Sequence, residues 1–276
     1  MLTALLLVTV LDCEKYGKPP VAAVAAEKKC GQDCNHRALA EQFANGAGVK
    51  RDFDAAAYFL CRAEEEMAPA EFSGMMEHLQ RMRSGEEKEP LDFCQYVTSG
   101  YGMSYCANVQ YEKVMPELDR RLAALRTRVA LKTELDTARE RGLAYARAES
   151  ERIGEQSRGG TASAAMSLGA EMEQKERLVA ALERFTRERA PSSTTAEAKR
   201  ADDELNAAYR EHARDAEPES KTFLRDAQRA WIAWRDAFAA YYAGRWRGTA
   251  SPEDLRREII TQLTRDRVVK LRDGDM

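Results

Sequence analysis

The chain has 276 residues, 44% of them hydrophobic, which is enough to bury a real core and excludes a wholly disordered protein. Its 43 basic and 46 acidic residues are interleaved rather than blocked and leave a formal charge of −3, a balance that argues against a nucleic-acid partner. Only 8 prolines and 16 glycines interrupt long runs of Ala, Glu, Arg, Leu and Lys, so the expected fold class is all-α.

Residues 1–26 are expected to be a signal-like segment and tail. Met1 to Leu11, MLTALLLVTVL, has the length of a secretory apolar run and is too short to span a bilayer. No Lys or Arg precedes it, and Ala23-Val24-Ala25 stands far from its end. All 6 cysteines precede residue 107, and an even number in a loop-rich region suggests disulfides and an oxidising, periplasmic or secreted location. Cys94 and Cys106 are expected to pair, closing a loop worth roughly 3 kcal/mol in the entropic model. The pairing of Cys30, Cys34 and Cys61, and the role of Cys13, stay open. Cys30, Cys34, His36 and Cys61 have types and spacing that would also suit tetrahedral zinc. The apparent export signal favours disulfides, so no metal and no cofactor is expected.

Residues 27–90 hold Ala38-Leu39, Phe43, Gly46-Ala47-Gly48-Val49, Asp52, Ala56, Phe59 and Ala63. Glycines permit a tight turn between two helices and small alanines let them approach. This stretch resembles a single Sel-one-like helix-turn-helix repeat, which cannot bury itself alone. The charged stretch from Arg83 to Pro90 is expected to be an exposed connector.

Beyond it the sequence repeats at a nearly constant offset. Glu117-Leu118 matches Glu204-Leu205 at 87, Tyr145 matches Trp234 at 89, and Gly160-Thr161-Ala162-Ser163 recurs as Gly248-Thr249-Ala250-Ser251 at 88. Two helical-hairpin modules in tandem are therefore expected, 91–190 and 191–276, each a hairpin, a glycine turn and a third helix. Ala190-Pro191-Ser192-Ser193 would link them. In the second module Thr194 to Glu197 fits a capping box, Pro218 suits a first helical turn, Gly244 is expected to end that helix, and Ser251-Pro252 to start the last.

Leu224, Ala227, Trp231, Trp234, Phe238 and Tyr241 recur at steps of three and four, one buried face of a helix. Asp226, Arg229, Arg235 and Asp236 are expected on its solvated back. Leu205 and Tyr209 add a matching seam before it. The order Leu205-Asn206, Tyr209, Gln228, Trp231, Arg235-Asp236, with a final helix ending QLTRDRVVKL, resembles the LprI-type lysozyme inhibitor family over about Ala201 to Leu271. Ala239 and Ile259 stand near positions where that family often has cysteines. The resemblance implies a secreted or periplasmic protein that binds and blocks a lysozyme-like cell-wall hydrolase.

His36, His78 and His212 stand beside no nucleophile motif, and carboxylates on such arginine-rich helices are usually solvated i, i+4 partners, so no catalytic residue and no enzyme is expected. Trp231 and Trp234 are expected in the core. Arg245, Trp246 and Arg247, in a turn flanked by glycines, are the expected partner-binding residues, with Trp246 either an exposed anchor or folded back over the hairpin. An immunity protein neutralising a toxin effector, or a helical envelope adaptor, are the alternative functions. The oligomeric state is left open.

Overall fold

The computed structural model describes residues 13–31, 34–214 and 216–273, and among these it contains ten α-helices and no strand. The fold class is all-α, as expected. The apolar run Met1 to Leu11 lies outside the described residues. The chain divides into two compact units, 1–103 and 104–276.

The first unit holds α1 (Val21–Cys30), α2 (His36–Asn45), α3 (Phe53–Arg62), α4 (Pro69–Ser84) and the start of α5 (Gly100–Arg128). The Asn35 side chain accepts from the Ala38 amide at 3.0 Å and begins α2; Asp52 accepts from Asp54 and Ala55 and begins α3. Between them Gly46 and Gly48 adopt φ of 70° and 74°, the left-handed region that permits so short a turn. Ala40, Ala44, Ala55 and Ala56 are wholly buried, as close helix approach requires. Cys13 is bonded to Cys61 and Cys30 to Cys34, which commits those thiols to disulfides rather than metal. Cys94 is a disulfide cysteine too, as is Cys106 in the second unit. Buried Glu71 accepts from the amides of Ala68, Thr98 and Ser99. Burial alone would raise its pKa; these bonds outweigh it and hold the carboxyl below the usual range.

The second unit continues α5 and adds α6 (Lys132–Gln156), α7 (Ser163–Arg187), α8 (Thr195–Arg214), α9 (Pro218–Arg245) and α10 (Pro252–Asp273). One hydrophobic core runs through all six, from Leu118 and Leu122 to Val268 and Leu271. The expected stripe on α9 is buried from Leu224 to Tyr241, and Trp231 is only 1% exposed. Thr194 and Glu197 exchange the bonds of a capping box, and Ser251 accepts from the Asp254 amide.

The turns α6–α7 and α9–α10 carry the same four backbone hydrogen bonds. Ser157 to Ile153, Arg158 to Glu155, Gly160 to Ser157 and Met166 to Ala162 in the first become Trp246 to Tyr242, Arg247 to Gly244, Thr249 to Trp246 and Leu255 to Ser251 in the second. Gly159 and Gly248 hold the positive φ in each, 81° and 90°.

α6 and α9 run antiparallel: Leu131 lies against Gly244, Tyr145 against Trp234, and Arg158 pairs with Glu219. Two expectations change here. Gly244 does not end α9, which runs on to Arg245; a Cβ on Gly244 would stand 2.8 Å from Leu131 Cδ1, so the glycine serves helix approach. Arg235 does not point into solvent with Asp226, Arg229 and Asp236. Its guanidinium lies 5.2 Å from the Trp231 ring centroid, where a cation gains from the aromatic face, while its charge meets Asp236 at 2.8 Å.

Candidate functional site

The turn after α9 places Arg245, Trp246 and Arg247 together, but Trp246 is not an exposed anchor. Its Nε1 donates to the Phe185 carbonyl at 2.9 Å and its ring packs on Tyr242 at 6.4 Å. Arg245 donates to the Thr186 carbonyl at 3.1 Å and lies over the Trp246 ring. The physical reason is a pair of orphan carbonyl groups at the end of α7, those of Phe185 and Thr186, which the indole and the guanidinium satisfy. Arg247, Gly248 and Thr249 remain exposed.

Sequence reasoning missed a buried ionic cluster where α6 meets α10. Glu149 is fully buried and its Oε1 receives Arg152 at 3.0 Å, Arg267 at 3.1 Å and Lys270 at 3.5 Å. Arg267 also donates to Tyr145 Oη at 2.6 Å and to Gln228 Oε1 at 3.3 Å. Desolvation pushes the Glu149 pKa up, yet the Arg267 and Arg152 charges overcome it and hold the carboxyl at about 2. Burial raises the Tyr145 phenol in turn. The expectation that helical carboxylates here are solvated therefore fails at Glu149. A signal was present: Ala138, Gly142, Tyr145, Glu149 and Arg152 step by four and three, so the pair continues the apolar face of α6.

Beside this cluster opens a cleft of about 370 Å³. Tyr145, Leu178, Phe185, Trp231, Trp234 and Leu263 give it apolar and aromatic walls. Arg177, Arg184, Arg267 and Lys270 also line it, each paired with a carboxylate: Arg177 with Glu173, Arg184 with Glu188, and Arg267 and Lys270 with Glu149; Asp266 is the carboxyl among the lining residues. Burial raises the Asp266 pKa, only partly offset by the hydrogen bond from Gln262. Gln174, Trp234 and Arg267 line the cleft, while their atoms Nε2, Nε1 and Nη2 are buried from solvent and have no hydrogen-bond partner in the protein.

The cleft and the cluster are thus built from α6 and α7 together with α9 and α10. Residues 190–271 match the family model for lysozyme inhibitor LprI. The LprI segment covers Leu205, Tyr209, Gln228, Trp231 and Arg235, and it supplies Trp231, Trp234, Leu263, Asp266, Arg267 and Lys270 to the cleft. No curated protein and no solved structure matches the chain. Among the described residues no group of His, Cys, Asp and Glu is arranged to hold a metal, and no helix is long and apolar enough to cross a membrane.

Proposed function

We propose that this protein is a non-catalytic envelope protein, periplasmic or secreted, that binds and inhibits a lysozyme-type muramidase. The observation that carries this reading is the LprI match over residues 190–271. Disulfides at Cys13–Cys61 and Cys30–Cys34 accord with an oxidising compartment. The binding face is the turn at Arg245 to Arg247, with roles divided. Trp246 holds the turn to α7, while exposed Arg247 meets the acidic, sugar-binding groove of the enzyme.

The scaffold behind that turn is two copies of one helical module, 91–190 and 191–276, preceded by the helical hairpin region 27–90. Four matching backbone hydrogen bonds in the two turns support the duplication. The test is lysozyme-driven clearing of a cell-wall suspension with the purified protein present. Clearing slows on addition, and Arg247→Ala weakens the effect about ten-fold, as loss of a charge contact worth about 1.4 kcal/mol would do. Unchanged clearing across several lysozyme classes removes this reading and leaves a toxin effector or an envelope scaffold as the partner to seek.

A further inference from the structure

We infer that the face made by α2 and α4 in the first unit is a binding site for an extended peptide with apolar side chains two residues apart, and that the chain's own segment 89–99 fills it in cis. This uses the first unit alone and stands whether or not the inhibitor reading does.

The start of the segment is extended. Asp92 has φ −139° and ψ 114°, Leu91 and Phe93 are 1% and 0% exposed, and the alternate residues Asp92 and Cys94 face outward. Side chains of the two helices hold its main chain. Asn45 accepts from the Leu91 amide and donates to the Leu91 carbonyl, both at 2.8 Å, and Glu41 accepts from the Phe93 amide at 2.7 Å. On α4, His78 Nε2 donates to the Glu89 carbonyl at 3.1 Å, which leaves Nδ1 to accept from the Tyr96 hydroxyl, and Glu71 accepts from the Thr98 and Ser99 amides.

An amide side chain that satisfies both main-chain groups of one residue reads backbone rather than sequence, while sites for alternate side chains select the sequence, and peptide recognition divides its labour in this way. Glu71 and His78 are 0% and 2% exposed, so the polar groups they turn to main chain are costly to leave unmatched when that main chain departs. A Cβ at Gly74 would stand 2.5 Å from Tyr96 Cδ1, so α4 forgoes a side chain to seat this ring. The Arg37 guanidinium lies 4.8 Å from the Phe93 ring centroid and favours an aromatic second anchor. The tether through exposed Gly85, Glu86 and Lys88 holds the internal segment at an effective concentration on the order of millimolar, which a competing peptide must exceed.

The tests use the full-length protein and a labelled synthetic peptide of residues 87–99 with Cys94→Ser, read by fluorescence anisotropy. Leu91→Ser with Phe93→Ser in the protein removes both anchors of the internal segment and opens the face. The peptide binds this opened protein at least ten-fold more tightly than wild type, and Asn45→Ala in the opened protein lowers the affinity about ten-fold. A second experiment leaves the internal segment intact and cuts the chain at a protease site inserted between Glu86 and Glu87. Cys13–Cys61 and Cys30–Cys34 lie before the cut and Cys94 and Cys106 after it, so no disulfide joins the pieces. The pieces co-elute on size exclusion until the peptide, at millimolar concentration, releases 1–86; a peptide that also carries Leu91→Ser and Phe93→Ser does not release it. The inference is overturned if the pieces separate without peptide, stay together with it, or separate equally with the doubly substituted one. It is overturned as well if an opened protein of unchanged helicity binds the peptide no better than wild type, or binds it equally with Asn45→Ala; where opening costs helicity, the cut chain decides.

Discussion

Tyr145 and Trp234 stack on each other, ring centroids 5.8 Å apart and planes within 13° of parallel, and they are the two residues that the internal offset of 89 aligns. On the proposed two-copy reading they would be equivalent residues, and such residues meet only near an axis that exchanges the copies, as in a symmetric dimer. The antiparallel course of α6 against α9 fits such a pseudo-twofold, with Leu131 at Gly244 on one side and Arg158 at Glu219 on the other. The similar hydrogen bonds of the two turns are consistent with that proposal.

An isolated segment 190–273 should therefore dimerise. Without α6, the α9 face bearing Trp234 and Phe238 is open, and the surface that best covers it is a second α9 in the place of α6. Size-exclusion chromatography with light scattering is expected to give a helical dimer that Trp234→Ala dissociates. A folded monomer would count against the two-copy relationship.

In the whole chain Trp234 is a structural residue before it is anything else. Its ring lies between Tyr145 and Phe238, parallel to both within 13° and 7°, and only 8% is exposed. Trp234→Ala is expected to cost about 3–5 kcal/mol, since the stacked rings of Tyr145 and Phe238 cannot close the gap. Ile232→Ala, two positions away and 38% exposed, is expected to stay within about 0.5 kcal/mol. Urea denaturation of both variants checks the contrast.

How much of this was legible follows from which residues carry periodic information. The stripe from Leu224 to Tyr241, the Thr194–Glu197 box and the Ser251 cap are local patterns, and each appears in the structure where spacing placed it. Glu149 was hidden because its partner Arg267 lies 118 residues away, and the chain is full of Glu and Arg that do face water. The cleft was hidden for the same reason: Gln174, Arg184 and Arg267 come together only when α7 and α10 pack. Trp246 was ambiguous because its acceptor, the Phe185 carbonyl, belongs to another helix end.

In the turn after α9 the structural role of Trp246 and the proposed binding role of Arg247 fall on adjacent residues. Trp246→Phe removes the donor to the Phe185 carbonyl and is expected to destabilise the protein by about 1–3 kcal/mol. Arg247→Ala touches an exposed side chain and is expected to leave stability within about 0.5 kcal/mol while lowering inhibition of lysozyme. Thermal melts beside clearing assays read both effects, and the opposite assignment would make Trp246 the contact residue.

Acid should weaken the α6–α10 junction through Glu149. Its folded pKa of about 2 lies below the value near 4.3 of an unfolded glutamate, so the folded state binds the proton less readily. The stabilisation, about 3 kcal/mol by linkage, is present in full above the unfolded pKa and is lost as pH falls through the folded one. Glu71, Glu183 and Asp136 are also depressed and contribute to acid sensitivity, so the wild-type slope alone does not isolate the site. Glu149→Gln does. It leaves Arg267 and Arg152 without their buried counter-charge, at a cost of about 3–5 kcal/mol near neutrality. Because it also removes the titrating group, the gap between variant and wild type narrows from pH 5 towards pH 2. Urea denaturation across that range measures it, and a gap that stays constant would show that Glu149 titrates alike in folded and unfolded chains.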